Sequence, residues 1–148
     1  NLIARRGRIS QLRPNQIVTP HPGEMARLLP GLDPSLTRAE VARQFTERSP
    51  ATLLFKGART IVTSRESPLA YNTTGTPGMA TGGQGDVLTG VIAAFLARGL
   101  APIQAASMAA WLAGRASEIA LQAESPESLT ASCTAQHLGR AFNDLRSS

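Results

Sequence analysis

Cysteine is all but missing from this 148-residue chain: Cys133 is the only one, so no internal disulfide can form. A reducing, cytoplasmic setting is the expectation. Aromatic residues make up 4% of the chain. Lysine and arginine outnumber the acids by 15 to 10, for a formal charge of +5. These cations form no run and have no aromatic residues interleaved with them, so a nucleic-acid groove is not expected. A basic surface of this kind suits phosphorylated small molecules equally well. Long apolar runs are also lacking. The most apolar region, Val87 to Leu121, is interrupted by Arg98, Gly99, Pro102, Gln104, Arg115 and Glu118. No stretch reaches the roughly 18 residues that a membrane helix requires. The opening NLIARRGR has no apolar signal core, which gives the expectation of a soluble intracellular protein without a membrane partner. Repeats and low-complexity tracts are absent, and a 42% hydrophobic content at this length is enough for one buried core.

Glycine is plentiful, and six of its 13 residues are gathered in one place. The stretch NTTGTPGMATGGQGDVLTG, Asn72 to Gly90, places Gly75, Gly78, Gly82, Gly83 and Gly85 ahead of an apolar helical pattern. Glycine loses more freedom on folding than any other residue, so such a cluster needs a reason. Bare backbone amides able to grip an anion supply one.

The remaining pattern is α/β. Gln16–Thr19 predicts a short strand, Glu24–Leu29 a short helix, and Thr37 with Glu40 a capping box opening a helix of about three turns. Ala51–Phe55 is a continuous apolar run, expected of a strand covered on both faces. Thr60–Ser64 and Leu69–Tyr71 predict hairpin strands. Helices follow from the glycine loop to Arg98–Gly99, from Pro102 to about Gln122, and from about Ala135 to Leu145. The small residues of the second of these predict close helix packing. Strands alternating with helices give a layered α/β domain. Few strands are available for so many apolar helix faces, so part of the sheet is expected to lie outside this sequence.

Three motifs carry chemistry. In Gly82-Gly83-Gln84-Gly85-Asp86, amides and a helix N-terminus converge as they would around a transferring phosphoryl group. Asp86 is placed to accept a hydroxyl proton; its bland alternative is a plain N-cap. The Gly-Lys-Ser/Thr of a Walker A loop is absent. In TPHPGE, His21 stands in a rigid turn after a strand, open to ligand contact, and Glu24 serves either the helix dipole or a water-mediated Mg²⁺. In KGART, Lys56 and Gly57 follow a buried strand, where nucleotides cross strand ends in open α/β sheets; an ordinary hairpin entry is the alternative. His137 and Cys133 are read as having no role, and the methionines as packing.

VTPHPGEMARLL, LLFKGARTIV and the glycine stretch through Leu100 resemble the ADP-dependent NAD(P)H-hydrate dehydratases of the ribokinase-like superfamily. The resemblance runs from Asn1, where NLIARRG is similar to a family segment ending in asparagine, to about Ala123. It implies a ribokinase-like fold with a central, mostly parallel sheet flanked by helices, the family's amino-terminal strands lying outside this sequence. It also implies a repair reaction, in which hydrated NADH or NADPH is phosphorylated by ADP and eliminates phosphate, leaving AMP. Carried over, His21 and Asp86 contact the hydrated nucleotide, with Asp86 as base. Gly83 to Gly85 form the anion hole, and Lys56, Gly57, Ala58, Arg59, Thr60 and Gly85 bind the adenine nucleotide. Glu24 marks the Mg²⁺ region, since His21 and Glu24 have the spacing of related kinases. Thr76 replaces the family's usual asparagine, and Cys133 stands where aspartate is common.

Two other readings share the glycine–aspartate core: a small-molecule kinase acting on a vitamin precursor or sugar, and a non-catalytic nucleotide-binding module. An unpaired sheet edge would favour a homo-oligomer.

Overall fold

A computed structural model of the chain describes residues 9–147. The motif at Asn1–Gly7 lies outside the described residues. Two compact units emerge, one holding the residues up to Tyr71 together with Ala101–Ala106, the other Asn72–Leu100 with Ser107–Ser148.

The first unit is built on a four-stranded sheet in the order β1-β2-β3-β4: β1 (Ile17–Val18), β2 (Thr52–Phe55), β3 (Ile61–Thr63) and β4 (Ala70–Tyr71). β1 pairs with β2 in parallel, Ile17 opposite Thr52, while β2–β3 and β3–β4 are antiparallel. The expected sheet was mostly parallel; the described strands form a mixed one. A parallel pair needs a long crossover, which the two helices between β1 and β2 supply, whereas the short turns after β2 and β3 permit only hairpins. β1 is shorter than the sequence pattern implies, yet its ladder extends at both ends through Thr52 N–H to Gln16 C=O (3.0 Å) and Lys56 N–H to Pro20 C=O (2.9 Å).

Helix α1 (Pro22–Leu28) begins two residues before the predicted start, because proline at its first position needs no partner for an N–H and His21 provides the cap. α2 (Arg38–Arg48) starts where the capping box places it. Thr37 Oγ1 accepts from Glu40 N–H, and Glu40 Oε2 accepts from Thr37 N–H at 2.7 Å. Phe45, Met25, Leu29, Leu53 and Ile61 are almost wholly buried in one apolar cluster of this unit. All four β2 residues are buried, as expected for a strand covered on both faces.

In the second unit a 3-10 turn (Pro77–Met79) leads through the glycine loop into α3 (Gln84–Ala97). α4 (Pro102–Ala120), which belongs to this unit from Ser107 on, contributes Leu112 and a buried alanine face that includes Ala109, Ala113 and Ala116. α5 (Ala131–Arg146) starts four residues earlier than predicted, because Thr130 caps it by accepting from Cys133 N–H at 3.2 Å. Phe95 of α3 meets Phe142 of α5 edge-on, with ring centroids 5.9 Å apart. Among the described residues no helix is long and apolar enough to cross a membrane.

Candidate functional site

In the first unit the carboxyl ends of the parallel strands β1 and β2 lie side by side, the position at which open α/β sheets receive ligands. The bond from Lys56 N–H to Pro20 C=O ties the two loops that leave these strands. His21, Glu24 and Lys56 are brought together there. His21 Nδ1 accepts from Glu24 N–H at 3.2 Å, and Glu24 Oε2 accepts from His21 N–H at 2.8 Å, a reciprocal cap of α1. The same Oε2 lies 3.8 Å from Lys56 Nζ and 3.7 Å from His21 Nε2. Glu24 is thus a cap and the partner of a cation at once. His21 remains exposed.

The loop after β2 is organised from behind by Arg38, which sequence reasoning missed. Its Nη2 donates to Phe55 C=O at 2.9 Å and Lys56 C=O at 3.0 Å. Its Nη1 donates to the carbonyls of Ala58 and Arg59. The guanidinium carbon sits 4.7 Å from the centroid of the Phe55 ring. Thr60 Oγ1 donates to the remaining carbonyl, that of Gly57. The amides of Gly57, Ala58 and Arg59, by contrast, donate to no protein acceptor among the described residues. Gly57 has φ +139°, a conformation that favours glycine, and a Cβ there would lie 3.0 Å from Arg38 Nη2, a tight contact that the guanidinium would have to relieve. Arg59 takes φ +51°. Burial lowers the Arg38 pKa below the usual guanidinium value, offset in part by attraction to Tyr71.

In the second unit the glycine stretch divides into two parts. Its first half is stitched to α4: Asn72 Nδ2 donates to Ala110 C=O (3.2 Å), Thr74 Oγ1 to Trp111 C=O (2.8 Å), and Gly75 N–H to Glu118 Oε1 (2.8 Å). These groups are occupied and cannot grip a ligand. The second half is open. Gly83, at φ +85°, is the N-cap of α3, and the amides of Gly83 and Gly85 donate to no protein acceptor among the described residues. Asp86, in the first turn of α3, is exposed. At Gly83 and Gly85, the residues expected to form an anion hole, amides with no acceptor among the described residues meet the positive end of a 14-residue helix.

Gln84, between these glycines, was also missed. Only 7% exposed, it turns inward and donates through Nε2 to Thr134 Oγ1 of α5 at 3.1 Å. Its side chain anchors the loop from below while the backbone on either side stays free. Glutamine amid glycines reads as a solvated loop residue, so the sequence held no signal for this tether.

The sequence pattern of the NAD(P)H-hydrate dehydratase family matches residues 1–140. The chain belongs to that family. Members similar to it include a bifunctional NAD(P)H-hydrate repair enzyme of Moorella thermoacetica, 46% identical over 104 residues, covering 69% of this chain and 20% of that protein. An ADP-dependent (S)-NAD(P)H-hydrate dehydratase of Neisseria meningitidis is 40% identical over 108 residues, 71% of this chain and 36% of that one. Among solved structures, an ADP/ATP-dependent NAD(P)H-hydrate dehydratase of Bacillus subtilis, co-crystallized with ATP and Mg²⁺, superposes with a TM-score of 0.80 at 30% identity. The match covers 86% of this chain and 47% of that one. A ribokinase-like superfamily protein of Enterococcus faecalis gives a TM-score of 0.82 at 25% identity, covering 97% of this chain and 49% of that one. The fold is ribokinase-like, as the motifs implied. The chain spans about half the length of the solved relatives and a smaller share of the bifunctional ones.

Proposed function

We propose that the protein dehydrates hydrated NADH and NADPH in a reaction driven by ADP. The observation that carries this reading is the open Gly83–Gly85 backbone with the exposed Asp86 one residue further on. Asp86 takes the proton of the substrate's ring hydroxyl as that oxygen attacks the terminal phosphorus of ADP. The bond to the bridging oxygen breaks, and AMP leaves. The amides of Gly83 and Gly85 hold the phosphoryl oxygens as charge redistributes over them. Phosphate then departs with the ring's carbon–oxygen bonding pair, and loss of a ring proton restores the reduced nicotinamide. His21 contacts the nicotinamide nucleotide. Lys56, Gly57, Ala58, Arg59, Thr60 and Gly85 bind the adenine nucleotide, a role supported by the unpaired amides of Gly57–Arg59.

Magnesium belongs to the same reading. Among the described residues no group of three or more His, Cys, Asp or Glu could hold a metal ion. The residues therefore fit an ion carried mainly by water and nucleotide phosphates, with Glu24 reaching it through water, and do not fit a protein-caged one. Bound in that way, magnesium neutralises phosphate charge. A homo-oligomer is supported by the edge strand β4, where Ala70 and Tyr71 are exposed, Tyr71 by 50%.

Hydrated NADH supplied with ADP should regain the absorbance of NADH and release AMP and phosphate in equal amounts. Absent recovery of NADH, together with phosphorylation of a hydroxymethyl pyrimidine, thiazole or sugar, would return the protein to the small-molecule kinases.

A further inference from the structure

We infer that Arg38 is the positioning residue of the nucleotide segment: its guanidinium gathers the carbonyls of Phe55, Lys56, Ala58 and Arg59 on one side of the loop and thereby turns the intervening amides toward the ligand. The inference rests on the proposed nucleotide role of Lys56–Thr60, but the clamp itself stands on geometry. One planar group donates to four carbonyls, those of Phe55, Lys56, Ala58 and Arg59. Thr60 Oγ1 takes the fifth, that of Gly57. A peptide unit whose carbonyl points one way points its N–H the other, so binding the carbonyls from behind exposes the amides of Gly57, Ala58 and Arg59, which have no protein acceptor among the described residues. Successive free amides with positive φ at Gly57 and Arg59 form the kind of concavity that accepts anionic or electron-rich groups.

Arginine is required for this arrangement. Lysine offers a point charge on a flexible stem, whereas the guanidinium presents a fixed fork and stacks on an aromatic ring, as Arg38 does on Phe55. Gly57 suits the fit, since its φ of +139° favours glycine and a Cβ there would crowd the guanidinium at 3.0 Å. Arg38 is also the first residue of α2, held by the Thr37–Glu40 capping box, so the clamp originates from a fixed helix end.

The test compares wild type with Arg38→Met and Arg38→Lys by three measurements. Limited trypsin digestion, read as the rate of nicking after Lys56 and Arg59, reports the loop; titration with AMP and ADP reports the site; thermal melting checks folding in each variant. Arg38→Met should speed nicking at least tenfold and weaken AMP binding by about ten- to a hundredfold, since the loop must then be ordered during binding. Arg38→Lys should restore melting but not resistance to nicking or affinity. Unchanged nicking in a folded Arg38→Met, or full rescue by lysine, overturns the clamp. Faster nicking with unaltered AMP affinity overturns the positioning role and leaves the clamp. Wild-type protein that binds neither AMP nor ADP overturns the nucleotide reading, while the digestion still decides whether Arg38 orders the loop.

Discussion

Gly114 of α4 and Thr74 of the glycine stretch meet backbone to backbone: a Cβ on Gly114 would lie 2.7 Å from the carbonyl carbon of Thr74. The same contact lets Thr74 Oγ1 reach Trp111 C=O at 2.8 Å, and it stitches the stretch to the helix. A backbone atom cannot swing aside as a side-chain tip can. Gly114→Ala should therefore push the two segments apart and destabilise the protein by about 1–3 kcal/mol, although alanine favours an isolated helix. Urea denaturation checks the sign: a mutant as stable as wild type, or more so, would show that helix propensity outweighs the close approach.

The hydroxyl of Thr76 is buried and has no hydrogen-bond partner among the described residues. A buried unpaired hydroxyl destabilises, and an isosteric methyl removes that penalty. Thr76→Val should stabilise the fold by about 1 kcal/mol, read as a higher urea midpoint with unchanged slope. A lower midpoint would mean that the hydroxyl has a partner.

How much of this was legible in the sequence differs between the two kinds of signal. The capping box at Thr37 and Glu40, the doubly buried strand at Thr52–Phe55 and the helix stop at Arg98–Gly99 are local, and each was readable because neighbouring residues satisfy one another. The open amides of Gly83 and Gly85 were readable for the same reason: glycine spacing and a helix onset lie within a few residues. The organising contacts were not. Arg38 reaches carbonyls 17 to 21 positions away, and Gln84 reaches Thr134 across 50. Neither residue type announces that reach. The early start of α5 went unseen because Thr130 lies among polar residues that read as loop, and the cap emerges only from its bond with Cys133 N–H.

Glu40 makes acid sensitivity predictable. Its carboxyl pKa is lowered by the hydrogen bond from the Thr37 hydroxyl and then by that from the Thr37 N–H. A lowered folded pKa means that the cap contributes stability above the unfolded glutamate value of about 4.3, and that this contribution is lost as pH falls through the folded value. Glu40→Gln should thus be less stable than wild type at pH 7, and the difference should shrink at pH 3. Urea midpoints at the two pH values decide the matter. A gap that persisted in acid would assign the effect to packing instead of charge.

Asp86 carries the sharpest functional test. It is exposed in the first turn of α3, beside amides with no protein acceptor among the described residues, so replacing its carboxylate by a carboxamide changes basicity with little change in shape. A general base of this kind accounts for about a hundredfold to ten-thousandfold of rate. Asp86→Asn should lower turnover of hydrated NADH by that range or more while AMP binding and melting temperature stay near wild type. The split between turnover and binding is the informative part, since a misfolded variant would lose both. Wild-type turnover in Asp86→Asn would leave the anion hole intact and move the proton acceptor to another group, with His21 the next residue to substitute.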